Sequence, residues 1–191
     1  MQISVFVGVS LDGFIARKDL SFDILPEAEY DSNGFSEFVA TVDGHVVGRR
    51  TFDWAASRAK WPYRKPALVL SRTPDRVRVP PGVDCTVTSD APEQVVARLA
   101  GRGMSHLYVD GGETIQRFLR ASLVDRIIIN RYPVLIGEGI PLFGPLPQDL
   151  RLQHVKTETF PKGLVKSEYR VNRGGPAERP YGASSRTPSR A

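Results

Sequence analysis

Apolar and polar positions in this chain follow two rhythms. Short stretches that are apolar throughout, or at every second position, are separated by stretches whose apolar residues recur every three or four, and that pattern predicts an α/β domain. "ISVFVGV" (3–9) predicts a first strand. In "GFSEFVATVD" (34–43), Phe35, Phe38, Val39 and Val42 form a helical stripe. "HVVG" (45–48) predicts a short strand, "RRTFDWAASR" the start of a helix and "PALVLS" (66–71) a buried strand. "DCTVTS" (84–89) reads as an edge strand. Asp90, with Glu93 three residues on, reads as the cap of the helix in "APEQVVARLAGRG", which Gly101 closes. "HLYVD" (106–110) runs into Gly111-Gly112 and the helix "ETIQRFLRASL". "VDRIIINRYPVL" (124–135) predicts a central strand, and "LQHVKTETF" and "LVKSEYRV" a pair joined across "PKG" by a hairpin-type connection. The sheet is expected to be mostly parallel and to finish in an antiparallel hairpin. No internal repeat or second domain is visible.

Composition sharpens this picture. A chain of 191 residues with 41% hydrophobic content can bury one sizeable core. No run approaches the roughly 18 apolar residues of a membrane span. The N-terminus lacks the basic region and cleavage site of a signal peptide, and the single cysteine, Cys85, fits a reducing compartment, so a cytoplasmic protein is expected. Of the net charge of +5, the stretch 172–191 carries +3. Its Gly, Pro, Ser and Arg content predicts a disordered basic tail behind a domain over 1–171. With so little charge left on the body, nucleic acid is not the expected partner. His45, His106 and His154 are too scattered to predict a metal site, and Cys85 has no motif around it.

Three strand ends carry the chemistry. "VVGRRTFD" passes through Gly48 into Arg49-Arg50-Thr51, "LVLSRT" ends at Ser71-Arg72-Thr73, and "LYVDGGETI" passes through Gly111-Gly112 into a helix start. Ligands of open parallel sheets collect at the carboxyl ends of strands, so the three endings are expected on one rim. A Gly-Gly pair lets backbone approach an anion, a helix start adds unpaired N–H groups, and Arg matches phosphate bidentately. A pyrophosphate at Gly111–Thr114 and a second phosphate near Arg49, Ser71 and Arg72 describe NADPH better than NADH. The G-x-G-x-x-G fingerprint is absent, so the dinucleotide must be held in another way.

"SLDGFIA" (10–16), "VGRRTFD" (47–53), "LVLSRT" (68–73), "VDGGETIQRFL" (109–119) and "LVDRIIINRYPVLIGEGIPLF" (123–143) resemble the dihydrofolate reductase family, most closely its branch with the C-terminal reductase domain of bacterial riboflavin biosynthesis. The resemblance covers about residues 2–171. It implies an α/β, dihydrofolate reductase-like three-layer fold with a mostly parallel central sheet of about eight strands, bound NADPH and a homodimer. By the same resemblance, cofactor contacts fall to Gly8, Ile15 and Ala16, to Gly48, Arg49, Arg50 and Thr51, to Leu70, Ser71 and Arg72, and to Gly111, Gly112, Glu113, Thr114 and Ile115. The chain departs from the family in having Ile24 after Asp23, where a Trp is common.

Reducing a C=N or C=O bond also requires a proton. Acid candidates follow the first strand: Asp12, Asp23, Glu27 and Glu29, of which Asp12 and Glu29 are taken as the catalytic residues, although "DG" alone also makes turns. The substrate side is expected between that loop, the helix at 34–43 and "RYPVLIGEGIPLF", with Gly137 and Gly139 allowing unusual backbone. Trp54 and Trp61, near Arg58, Lys60 and Arg64, are candidates to border a phosphorylated substrate. Three readings follow. The first is an NADPH-dependent reductase of the riboflavin-biosynthesis type, acting on a small heterocycle or a ribosylamino-pyrimidine. It would lack deaminase activity, since the H-x-E and P-C-x-x-C signatures are missing. The second is a dihydrofolate reductase proper. The third is a protein that binds a nucleotide or RNA without catalysis.

Overall fold

The computed structural model describes residues 1–21, 23, 33–58 and 61–172. Among the described residues, ten strands appear in chain order: β1 (Gln2–Val9), β2 (Phe14–Ala16), β3 (Gly44–Gly48), β4 (Ala67–Leu70), β5 (Cys85–Thr88), β6 (His106–Asp110), β7 (Arg126–Arg131), β8 (Ile140–Pro141), β9 (Leu152–Thr159) and β10 (Val165–Val171). The helices are α1 (Phe35–Ala40), α2 (Arg49–Ala56), α3 (Pro92–Ala100) and α4 (Gly112–Arg120). Eight strands form one sheet in the order β5-β4-β3-β6-β1-β7-β10-β9. It is parallel from β5 to β7 and antiparallel where β10 pairs with β7 and β9. This is the mostly parallel sheet with a terminal antiparallel pair expected from the sequence.

Both faces are covered, which is why the inner strands read as nearly continuous apolar runs. Ile3, Val5, Val7 and Val9 of β1 share one core with Val95 and Leu99 of α3 and Ile115, Phe118 and Leu119 of α4. On the opposite face, Phe6, Tyr108 and Ile128 meet Phe38 of α1 and Val42 just beyond it, while Val47 and Val69 meet Phe52 of α2. Strand alternation thus sends Ser4, Phe6 and Gly8 one way and the valines the other. The carboxyl ends of β4, β3 and β6 stand side by side because β6 returns to insert between β3 and β1.

Three expectations need correction. The helix over 34–43 is shorter and stops at Ala40, because Asp43 leaves it to accept N–H bonds from Ser105 and His106 at 2.7 and 2.9 Å. Val42 stays buried without being helical. The helix at 92–100 is not capped by Asp90: Gln94 accepts the Ala91 N–H at 3.0 Å, and Asp90 pairs with Arg98 one turn further on. The strand over 124–135 occupies only Arg126–Arg131. The sequence also gave no sign of the small β2–β8 sheet, whose two short strands lie far apart in the chain.

At the β7–β10 junction, Arg126 grips Glu168 with two bonds of 2.8 and 3.0 Å, the carboxylate being largely buried. Glu168→Ala is expected to destabilise the protein by about 1–3 kcal/mol, since it strands a partly buried guanidinium. Urea unfolding at pH 7 measures this. Arg126 also holds the Glu168 carboxyl below the usual range, so the same stabilisation should be lost in acid.

Candidate functional site

A cleft of about 970 Å³ opens over the carboxyl ends of β1, β3, β4 and β6. All three phosphate-suited strand ends line it: Gly48–Thr51, Leu70–Thr73 and Gly111–Thr114. Gly8, Ile15 and Ala16 line it as well, so of the predicted cofactor residues only Ile115 lies elsewhere. Ile115 is 1% exposed and packs in the core between α4 and the sheet, because the helical period turns it inward.

The glycines in these motifs have a structural reason that the spacing alone did not reveal. The starts of α2 and α4 are laced together. A Cβ on Gly48 would stand 2.6 Å from Thr114 Oγ1, and a Cβ on Gly111 would stand 2.4 Å from Thr51 Oγ1. Each helix start therefore presents a glycine to the other's threonine. Two sets of unpaired N–H groups are brought to one place, where their dipoles add for an anion. Gly111 also has φ +92°, a conformation reserved for glycine. Gly112 is buried against Ile15 and Ile140, so β2 and β8 press on this helix start.

The cations around it are not equivalent. Arg49 Nε holds both oxygens of Asp53 at 2.7 Å, and its Nη1 donates to the Arg76 carbonyl at 3.0 Å. Arg50 and Arg72 are exposed on the cleft and make no ion pair among the described residues. Ser71 is buried beside Arg72, its Oγ accepting the Thr73 N–H at 3.2 Å while its own hydroxyl hydrogen stays available. A hydroxyl, a guanidinium and a threonine thus close the β4 end. These donors could hold an anionic group.

The acid candidates fare differently. Asp12 does not line the cleft. Its carboxylate accepts N–H bonds from Gly137 at 2.8 Å and Ile136 at 3.1 Å, tying the loop after β1 to the segment after β7. The Ser10 hydroxyl, followed by the Gly137 N–H, keeps this carboxyl below its ordinary value, which suits a clamp better than a proton donor. Gly137 has φ +75°, and a Cβ on Gly139 would meet the Ala16 carbonyl at 2.4 Å, so the unusual backbone expected there is present. Asp23 is bound by Arg17. Glu27 and Glu29 lie outside the described residues, as do Lys60 and most of the tail. Trp54 lines the cleft beneath Arg58, whose guanidinium is 4.4 Å from the ring. Trp61 instead packs on Phe52 and Tyr63.

Among the cleft residues that the sequence reading missed are Asp110, His45 and Asn130. Asp110 ends β6 with its Oδ1 accepting the Gly111 N–H at 2.7 Å and its Oδ2 the Tyr63 hydroxyl at 3.4 Å; burial pushes its carboxyl up to about 6. His45, 1% exposed, lies 4.6 Å from the Tyr63 ring and 5.5 Å from that of Tyr108. Neither of its ring nitrogens has a partner among the described residues, and burial pushes its pKa down to about 4. Asn130 Oδ1 is also buried without a partner among the described residues. The available signal was strand alternation, which puts His106, Tyr108 and Asp110 on one face of "HLYVD". Among the described residues, no group of three or more His, Cys, Asp or Glu is placed to hold a metal ion, and no helix is long and apolar enough to cross a membrane.

Comparison with known proteins adds the relationship. The family model of the RibD C-terminal domain matches residues 2–166. The uncharacterized protein YwjB of Bacillus subtilis (strain 168) is 33% identical over 160 residues, which is 82% of this chain and 90% of YwjB. Among solved structures, a Shewanella sp. PV-4 protein provisionally named for riboflavin biosynthesis superimposes with a TM-score of 0.80 at 37% identity, covering 91% of this chain and 100% of that one. Dihydrofolate reductase from Enterococcus faecalis, solved with NADP(H), shares the fold with a TM-score of 0.63 at 17% identity, over 90% of this chain and 97% of the enzyme.

Proposed function

Because the chain belongs to the RibD C-terminal domain family, we propose that it is an NADPH-dependent reductase of the riboflavin-biosynthesis type. Its substrate in this reading is a small heterocycle or ribosylamino-pyrimidine such as 5-amino-6-(5-phosphoribosylamino)uracil. One observation carries the proposal: three separate strand ends, each suited to phosphate, line a single cleft. In this reading the paired starts of α2 and α4 hold the pyrophosphate, and Ser71 with Arg72 holds the additional phosphate. Gly8, Ile15 and Ala16 border the ring that reacts. A reduced nicotinamide supplies hydride when bound, and the chain's own residues orient it and exclude water. The aromatic end of the cleft, with Phe6, Phe35, Tyr108 and Tyr132, takes the flat substrate ring.

The second reading, a dihydrofolate reductase proper, draws less from α1. Among the described residues, that helix contributes Phe35, Ser36, Val39 and Ala40 to the cleft and no carboxylate. The family resemblance carries a homodimer into the proposal, which light scattering of the purified chain measures.

NADPH is expected to bind far more tightly than NADH. Arg72→Ala should weaken NADPH about 10–100-fold, the value of one or two charge-assisted bonds, and leave NADH nearly unchanged. Nicotinamide fluorescence titration reads both affinities. Equal losses for the two cofactors would remove Arg72 from the phosphate site, and an absence of NADPH binding by the wild-type chain would overturn the reductase reading.

A further inference from the structure

Buried polar atoms without a hydrogen-bond partner are costly, so several of them in one place need a reason. Among the described residues, four side chains carry such an atom: Asn33, His45, Asn130 and Glu158. Glu158 is accounted for by ion pairs, its Oε2 lying 3.0 Å from Lys156 and 3.1 Å from Lys166. The other three all line the cleft. His45 stands apart from the two asparagines. The strand register sets it level with Tyr108 and Ser4, whereas Asn130 is level with Gly8, further along β1.

The two asparagines belong to one end of the cleft. Asn130 is 1% exposed, and its Nδ2 donates to the Val7 carbonyl at 3.5 Å, which leaves Oδ1 as the end without a partner among the described residues. Its neighbour across the sheet is Lys166 of β10, and the side chains of such a pair share a face. Lys166 Nζ in turn donates to the main-chain carbonyl of Asn33 at 2.9 Å. Lys166 thus ties Asn33, just before α1, to the end where Asn130 stands. Asn33 is buried, and its Oδ1 also has no partner among the described residues. Two amide oxygens are therefore held beside the aromatic walls of the cleft, with Phe6, Phe35 and Tyr132.

We propose that Asn33 and Asn130 are specificity-determining residues that accept hydrogen bonds from ring N–H groups of a neutral substrate heterocycle. The inference rests on the reductase reading above and names the feature of the substrate that the cleft selects. An amide oxygen accepts hydrogen bonds and carries no net charge, so it suits an uncharged N–H donor. A flat ring seated against the aromatic side chains directs its N–H groups outward in its own plane, towards acceptors at the edge of the site. A ring with alkyl groups at those positions would leave both oxygens dry and unpaired, which is how a buried polar site rejects an analogue. The uracil ring of a ribosylamino-pyrimidine offers an N–H at each ring nitrogen.

The test uses the whole chain with NADPH present and two probes, 5,6-diaminouracil and its 1,3-dimethyl derivative, which lacks the ring N–H groups. Calorimetric titration reads both affinities. The wild-type chain should prefer the unmethylated ring about 10–100-fold. Asn130→Leu and Asn33→Leu should each lower that preference about fivefold or more, while NADPH affinity holds. Urea unfolding of both variants should show stability that is unchanged or raised, because each removes a buried, unpaired oxygen. A merely structural asparagine would behave in the opposite way, its leucine variant losing stability and keeping the preference. Equal binding of the two pyrimidines, leucine variants that still reject the methylated ring, or a chain that binds NADPH and neither pyrimidine would overturn the inference while leaving the reductase reading intact. Failure of the wild-type chain to bind NADPH would instead defeat the reductase reading.

Discussion

Gly111→Val is expected to cost the fold about 3–5 kcal/mol and to abolish NADPH binding. Two independent terms add. A side chain at φ +92° is strained by about 1–3 kcal/mol, more so when β-branched. The new Cβ would also stand 2.4 Å from Thr51 Oγ1, with the Thr51 Cβ at 3.6 Å, on a helix start that cannot retreat without moving α2. Overpacking of that kind costs about 1–3 kcal/mol. Relief comes only by parting the two helix starts, which is the geometry proposed to hold the pyrophosphate. Gly112→Val should be milder, since its closest contact would be the movable end of Ile15 at 2.8 Å, with Ile140 Cγ2 at 3.4 Å. Urea unfolding and nicotinamide fluorescence measure the two effects. A Gly111→Val protein of wild-type stability, or one that still binds NADPH normally, would disprove the laced arrangement.

His45→Phe should stabilise the protein, and more so in acid. At pH 7 it replaces two buried, unpaired nitrogens with carbon inside a nest of aromatic rings, a gain of about 1–2 kcal/mol. The pH dependence follows from the lowered pKa. Above pH 6.5 the wild-type chain has the full contribution of neutral His45; as pH falls towards 4, the unfolded chain takes up a proton that the folded one refuses. The advantage of the variant should therefore grow by about 3 kcal/mol between pH 7 and pH 4. Asp110 contributes with the opposite sign. Its raised pKa gives a contribution that is full below 3.8 and is lost as pH rises through about 6. Between pH 4 and 6 the two groups largely cancel in the wild type, and His45→Phe should expose the downward slope of Asp110. Unfolding curves at pH 4, 5, 6 and 7 test this, and a stability difference that is flat across the range would show that His45 is not held neutral by burial.

A buried, unpaired histidine and a shielded aspartate are costly in a core, and both line the proposed active cleft. Such departures from the rules of packing are expected where function competes with stability.

The candidate site was partly legible for a definite reason. Gly48-Arg49-Arg50-Thr51, Ser71-Arg72 and Gly111-Gly112 each follow a strand directly, so their positions on the rim depend only on local chain direction and the rule of strand ends. Asp12 was legible as a turn, but its carboxylate was committed to Ile136 and Gly137, partners more than 120 residues away. The β2–β8 pair was invisible because three and two residues carry no periodicity.

By itself, the sequence determined the strand–helix alternation, the parallel sheet with its antiparallel finish, and the residue types offered to an anion at three strand ends. These follow from side-chain period and backbone freedom, which are local properties. Only the tertiary structure decided which guanidinium is already engaged, why two glycines must face two threonines, and which carboxyl is shielded from water. Each of those depends on neighbours brought together across the sheet, and burial and charge are properties of that environment.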